Sequence, residues 1–182
     1  MLSAVTVVIA YAQGISLGLP GVVEFMTVMI FVSGFCFGWV VGSSVGFVAL
    51  SIYMMIPYPF AHPAAWIYTI SPLLLVVMGL LGIMYGIVGG ILGKLQSPVR
   101  MNAMFVGEMA LLGFALTFAY DILSSIGFYV AYPVYPSVWD AVYLTFVPLY
   151  YLYPPIVHTV TNTIIFATVA PALIRALEPF RA

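Results

Sequence analysis

Charge is scarce in this chain. Its 182 residues include four Lys or Arg and five Asp or Glu, so that 5% of the residues are charged, against about 25% in an average soluble domain. Hydrophobic residues make up 65% of the chain, and the mean hydropathy is +1.22. No water-exposed surface can be built from this composition, and the sequence therefore predicts an integral membrane protein.

Several sequence signatures are missing as well. Cys36 is the single cysteine, which excludes an internal disulfide and a cysteine metal cluster. Met1–Val7 contains no basic residue, so we expect the first apolar stretch to be retained rather than cleaved as a signal peptide. Lys94 follows Gly93, but Val88 and Leu95 stand where a phosphate-binding loop needs Gly and Ser or Thr, and no basic tract indicates nucleic acid. We predict a protein that is not an enzyme, with no cofactor, no metal and no nucleic-acid partner.

Apolar stretches separated by Gly and Pro clusters predict helices that span a membrane, each of which needs about 20 residues. The chain divides into six such units, which are Leu2–Leu17, Val22–Trp39, Ser44–Ile56, Pro72–Gly93, Ala103–Gly127 and a last unit that ends with Pro155–Leu177. A single helix over Val22–Ile56 would overshoot the hydrocarbon by roughly 20 Å, so a turn is expected near Gly38–Ser44. We predict one all-α transmembrane domain over residues 1–182.

The basic residues fall on one side of such a bundle. Six spans place both termini on the same side, together with the loops after the second and fourth spans. That side collects all four basic residues, Lys94, Arg100, Arg175 and Arg181. The positive-inside rule makes it the cytoplasm. We therefore predict a multi-pass protein of the cell membrane with both termini cytoplasmic.

Polar side chains inside the apolar stretches carry the functional signal, because a charge at mid-membrane costs several kcal/mol. Glu24 and Asp121 lie near the outer ends of the second and fifth spans, and His158 and Asn162 are one turn apart on the last helix. We predict that these four residues line one ligand-binding cavity. A hydrogen bond between helices is the alternative for His158 and Asn162, and residues near helix ends can also reach the interface by snorkelling.

Aromatic residues are concentrated in the predicted outer segments. Pro57–Ser71 contains Trp66 and Tyr68, and Trp139 follows a second outer loop. An interfacial belt explains part of this pattern, but the loops on the basic side carry almost no aromatics. We predict an outward vestibule in which Trp66, Tyr68 and Trp139 stack on a planar ligand. Because no Lys or Arg lies on this side, a neutral or cationic ligand fits better than an anion.

Small residues recur every four positions through the second and third spans, at Gly34, Gly38, Gly42 and Gly46. This spacing lets two helix backbones approach closely without lipid between them. Two uses are open, internal packing of the bundle and docking of another membrane subunit. Ala10 and Gly14 offer a similar stripe on the first helix and belong to the same docking hypothesis.

Two further chemistries are disfavoured. Gly42–Gly46 matches the G-x-S-x-G pattern of serine hydrolases, but that elbow belongs on a strand-to-helix turn, and the predicted topology separates Ser44 from His158. A metal site built from His62, His158 and Asp121 lacks the short ligand spacing that metal motifs show.

In its size, helix layout and several local motifs, the chain resembles the substrate-binding S components of energy-coupling-factor (ECF) transporters. The resemblance covers nearly the whole chain in size and helix layout, and it rests on Val23-Glu24-Phe25, the Gly-rich run Gly34–Leu50, Tyr120–Leu123 and His158–Asn162. It implies an ECF S-component-like six-helix fold that captures a vitamin or vitamin precursor from outside. It also implies partners, namely a transmembrane T subunit and two ATPase subunits that drive uptake.

One family feature is missing. The A-x-x-x-A docking motif of the first helix is absent, since Ala4 is followed four residues later by Val8; Ala10 and Gly14 are the candidate substitutes. The alternative function is a self-sufficient secondary transporter or channel in which Asp121 or Glu24 relays protons. A structural subunit of a larger membrane complex is the third possibility.

Overall fold

The computed structural model describes residues 1–17, 24–55, 71–96, 98–132, 134–146 and 155–181. Within these ranges the chain is all-helical and contains no strand, which confirms the all-α part of the predicted fold class. The elements are α1 Leu2–Leu17, α2 Phe25–Phe37, α3 Trp39–Met55, α4 Pro72–Leu95, α5 Ala103–Ala131, α6 Val138–Phe146, α7 Pro155–Leu177 and a final 3-10 turn, Glu178–Phe180.

Three of the described helices are long and apolar enough to cross a bilayer: α4, α5 and the stretch Ile156–Phe180 that contains most of α7. The apolar helices α1, α2 and α3 are shorter, with 16, 13 and 17 residues. All six coincide with predicted spans, although α3 begins earlier, at Trp39, and α5 continues to Ala131. These helices fit a membrane protein, and the six-span topology stays a prediction.

The outer surface of the bundle is apolar. Large aliphatic side chains are exposed on every long helix, for example Val40 on α3, Leu80 on α4, Leu111 on α5 and Ile164 on α7. Water would penalise such a surface, whereas lipid tails solvate it. The packing therefore agrees with the composition in favouring a lipid environment.

Gly38 alone joins α2 to α3. Its φ of +89° is the only positive φ among the described residues, and residues other than glycine rarely adopt that backbone conformation. The Gly38 N–H donates to the Gly34 carbonyl, and the Gly38 carbonyl accepts from the Gly42 N–H. The turn expected near Gly38–Ser44 is thus made at Gly38, and the docking role predicted for this residue stays a prediction.

Glycines also join α2, α3 and α4 into one tightly packed layer. A Cβ atom added at Gly42 would overlap the backbones of Gly34 and Gly86, and one added at Gly46 would overlap the backbone of Gly82. Close backbone approach of this kind holds helices together where no hydrophobic effect operates between them. Gly34, Gly42 and Gly46 therefore pack inside the chain, which corrects their assignment to a partner-docking surface.

The first helix packs on α2 and α3. Ala10 is buried there, next to Tyr11, whose ring lies 5.3 Å from that of Tyr53 on α3. Ala10 thus faces its own chain, which corrects its assignment to partner docking. Gly14 lies in α1, and its surroundings fall outside the described part of the chain.

The helices α5 and α7 pack along each other, and α7 also contacts α2. Aromatic rings fill the space among these helices and α4: Phe31 lies 5.3 Å from Phe166, and Tyr85 lies 6.3 Å from both Phe166 and Tyr120. This apolar core fixes the distances between the helices. It thereby brings the start of α2 against the polar faces of α5 and α7.

Candidate functional site

A cluster of buried polar side chains lies where α2, α5 and α7 meet. We call it the polar cluster; none of its members is more than 8% exposed, and they are Glu24, Thr117, Asp121, His158, Thr159 and Asn162. Thr117 and Asp121 are four residues apart on α5, as are His158 and Asn162 on α7. Residues four apart share one helix face, so each pair faces the opposite helix.

Asp121 is the most extensively bonded acid of the cluster. Its carboxylate oxygens lie 3.0 and 3.3 Å from His158 Nδ1. The Thr159 hydroxyl donates to Asp121 Oδ2 over 3.4 Å. Two residues of α7 thus converge on one carboxylate of α5, and the bond to His158 fixes a proton on Nδ1.

The opposite edge of the imidazole ring faces two different groups. His158 Nε2 lies 3.1 Å from Asn162 Nδ2 and 3.4 Å from Glu24 Oε2. The Asn162 amide also donates to the Thr117 hydroxyl over 3.2 Å. The imidazole is therefore held between two carboxylates on two helices, with an amide beside it.

Glu24 is held less completely than Asp121. It occupies the N-cap position of α2, but its side chain makes no capping hydrogen bond. Among the described residues its buried Oε2 atom has no hydrogen-bond partner and reaches His158 only at ion-pair distance. The positive end of the α2 dipole favours a carboxylate at this place. Glu24 thus presents a buried acceptor that is still available.

This arrangement is unsuited to holding a metal ion. The two carboxylates lie on opposite edges of the His158 ring, whereas metal ligands converge on a single point. Within the described ranges, no group of three or more His, Cys, Asp or Glu residues is arranged to bind a metal.

The structure brings together four of the predicted ligand-binding residues, Glu24, Asp121, His158 and Asn162. Their role in ligand binding stays a prediction. Trp139 was predicted to share the site, but it lies on α6 with 75% of its surface exposed and is not part of the polar cluster. Trp66 and Tyr68 lie outside the described residues.

Two cluster members were not predicted from the sequence, Thr117 and Thr159. Hydroxyls are common in apolar helices, because they can bond to the preceding turn of their own helix, so they give little signal alone. Their positions relative to the ionisable residues were the available clue. Thr117 lies one turn before Asp121, and Thr159 follows His158 directly.

Two ionisable residues outside the polar cluster, Asp140 and Arg181, have local structural partners. Asp140 accepts from the Ser137 hydroxyl over 2.7 Å at the start of α6. At the opposite end of the bundle, Arg181 donates to the Gly93 carbonyl, and its guanidinium lies 5.0 Å from the Phe35 ring centre. Such contacts are typical of helix capping, which leaves the polar cluster as the main candidate site.

Comparison with known proteins finds no matching family model, no matching curated protein and no matching solved structure.

Proposed function

We propose that this chain is a membrane-embedded capture protein, which binds a small organic molecule from outside and acts as the S component of an ECF-type importer. The observation that supports the proposal is the convergence of Glu24, Asp121 and His158 from three helices on one buried cluster. Burying charges in an apolar bundle costs free energy that their mutual attraction rarely repays. A function that uses these groups explains why the chain carries them.

The position of the cluster supports access from one end of the bundle. Glu24 immediately precedes α2, and His158 is the fourth residue of α7, so both lie near helix starts. The basic residues lie at the other end, where Lys94 is in the last turn of α4 and Arg175 in the last turn of α7. Under the positive-inside rule, the end of the bundle that holds the cluster faces the outside.

The proposal includes a T subunit and two ATPase subunits as partners. The predicted docking residues Gly34, Gly42, Gly46 and Ala10 pack within the chain, so the partner must use an outward face. On α1, Val5 and Val8 are exposed. We propose this face of α1 as the surface that meets the T subunit.

Native mass spectrometry of the detergent-purified protein tests capture directly. We expect a stoichiometric adduct in the mass range of vitamins and their precursors. The Glu24→Gln variant should lose the adduct, and the control Asp140→Asn should keep it, since Asp140 lies on α6 and bonds to Ser137. The absence of an adduct, with no thermal stabilisation by a panel of vitamins and precursors, would contradict the proposal.

A second candidate is a proton-coupled secondary transporter. The observation in its favour is the placement of His158 between two buried carboxylates, 3.0 Å from Asp121 and 3.4 Å from Glu24. Chains of acids and histidines of this kind bind and pass protons in membrane pumps. Uptake into proteoliposomes by this chain alone, driven by a proton gradient, would favour this candidate. Ligand binding without such flux would favour the S component.

A further inference from the structure

One nitrogen of His158 faces two partners that need opposite protonation states. The Asn162 Nδ2 atom, 3.1 Å away, donates a hydrogen and needs a free lone pair on Nε2. The Glu24 carboxylate, 3.4 Å away, accepts a hydrogen and needs a proton on Nε2. A single imidazole nitrogen offers one or the other. The polar cluster therefore has two bonding states that differ by one proton.

Each state satisfies a different neighbour. With His158 charged, Nε2–H points to Glu24, and the Asn162 amide turns its oxygen to the ring. With His158 neutral, Nε2 accepts from Asn162 Nδ2, which also donates to Thr117. In this second state the buried Oε2 atom of Glu24 has no hydrogen bond to any described residue. A buried carboxylate oxygen without a donor is unfavourable in an apolar interior, so the neutral state of His158 calls for another donor at Glu24.

Among the described residues, no Lys or Arg lies beside the cluster to donate to Glu24. Tyr120 on α5 packs edge-on against His158 at 6.2 Å, and Tyr85 on α4 lies 6.3 Å from Tyr120; phenols carry no positive charge. The four basic residues, Lys94, Arg100, Arg175 and Arg181, are at or beyond the opposite ends of α4, α5 and α7.

We propose that the buried Oε2 atom of Glu24 accepts either the Nε2–H of a charged His158 or an N–H of a cationic ligand, so that the bound cation displaces the Nε2–H bond and one proton is released from His158. This inference rests on the proposed function and names its ligand class, a small organic ammonium or amidinium ion. Before binding, two carboxylates and one imidazolium carry a net charge of −1; afterwards two carboxylates and one ligand cation carry the same. Exchange one for one avoids a change of net charge in a low-dielectric interior, where such a change is costly.

The exchange fixes the pH dependence of binding. A proton and the cation compete for one bonding arrangement, so the apparent affinity of the cation should rise about tenfold per pH unit while His158 is charged in the free protein.

Thermal-shift titration with benzylammonium, and with benzyl alcohol as its neutral counterpart, tests the exchange between about pH 6 and pH 8. We expect benzylammonium to stabilise the protein and benzyl alcohol to have no effect. The affinity for benzylammonium should rise about tenfold per pH unit. Calorimetry in buffers of different ionisation enthalpy should report one proton released per cation bound. Glu24→Gln should abolish the effect. His158→Gln, with His158→Asn as a second choice if it fails to fold, should bind the cation without pH dependence or proton release.

Three results would overturn the exchange: an equal response to both probes, no response to the ammonium ion, or an unchanged response in Glu24→Gln. Failure of the proposed function is a separate outcome. A neutral or anionic adduct in the mass spectrum would leave capture in place and overturn the exchange, whereas the absence of any adduct would count against capture itself.

Discussion

The Nδ1 atom of His158 lies 3.0 Å from Oδ1 of Asp121, across the contact between α5 and α7. Glu24 approaches the other edge of the same ring at 3.4 Å, and its Oε2 atom has no hydrogen bond to any described residue. The two acids are thus not equivalent. Asp121 positions the histidine, whereas Glu24 is the less completely bonded acid.

Replacing Asp121 with Asn should destabilise the fold. The variant loses the charge-assisted bond to His158, and such bonds contribute about 1.5–3 kcal/mol. Unfolding in mixed micelles measures the loss. The control Asp140→Asn, which affects only a bond to Ser137 at the start of α6, should cost less than about 1 kcal/mol. Equal costs for the two variants would contradict a positioning role for Asp121.

Replacing Glu24 with Gln should affect ligand binding more than stability. The free energy of unfolding should change less than in Asp121→Asn, because the variant removes a buried charge and also its ion pair with His158, and these two effects have opposite signs. Ligand affinity should fall roughly ten- to hundredfold, the effect of one lost charge-assisted hydrogen bond. Unfolding and ligand titration of the same preparation separate the two effects. A less stable variant that still binds ligand normally would assign Glu24 to structure instead.

The sequence was sufficient to predict the helices and the polar candidates, because both follow from the cost of exposing polar groups to lipid. The first helix, Leu2–Leu17, and the last, Pro155–Leu177, have the predicted bounds. The pairing of Asp121 with His158 was not predictable, because it depends on how α5 and α7 are rotated about their axes. Only the packed core sets that rotation.

Glycine spacing also predicts a packing face without identifying the element that packs on it. The repeat at Gly34, Gly42 and Gly46 indicates a face that a backbone approaches closely, but an inner helix and a separate subunit require the same spacing. The structure places α4 against that face. Trp139 illustrates a different limit: aromatic residues near an outer loop serve a ligand pocket or the membrane interface equally well, and this one is exposed.

Replacing Gly46 with Ala should disrupt the layer of α2, α3 and α4. The added Cβ would overlap the Gly82 carbonyl group, which belongs to the backbone and cannot move alone. Overpacking of this kind costs about 1–3 kcal/mol or more. Gly107→Ala is the matched control, because a Cβ atom at Gly107 on α5 meets nothing within 4 Å. The free energy of unfolding of that variant should rise by about 0.5–1 kcal/mol. Similar stabilities for the two variants would contradict the proposed packing role.

The predicted orientation can be tested by cysteine labelling, because the chain contains a single native cysteine. Cys36 is buried in α2, and Cys36→Ala removes it altogether. Trp139 on α6 and Leu95 at the end of α4 are suitable probe positions, since they are 75% and 74% exposed. They lie at opposite ends of the bundle: α6 follows the end of α5 near the start of α7, and Leu95 closes α4 beside Lys94.

In the Cys36→Ala background, Trp139→Cys should react with a membrane-impermeant maleimide added to intact cells. Leu95→Cys should react only after the membrane is permeabilised, because the positive-inside rule places the Lys94 end in the cytoplasm. Labelling of both positions on intact cells would show leakage or a mixed orientation, and the reverse pattern would place the polar cluster at the cytoplasmic end. The reverse pattern would rule out capture from outside, since Glu24 and His158 lie near the same end as α6. The orientation assay therefore tests a premise on which the proposed function depends.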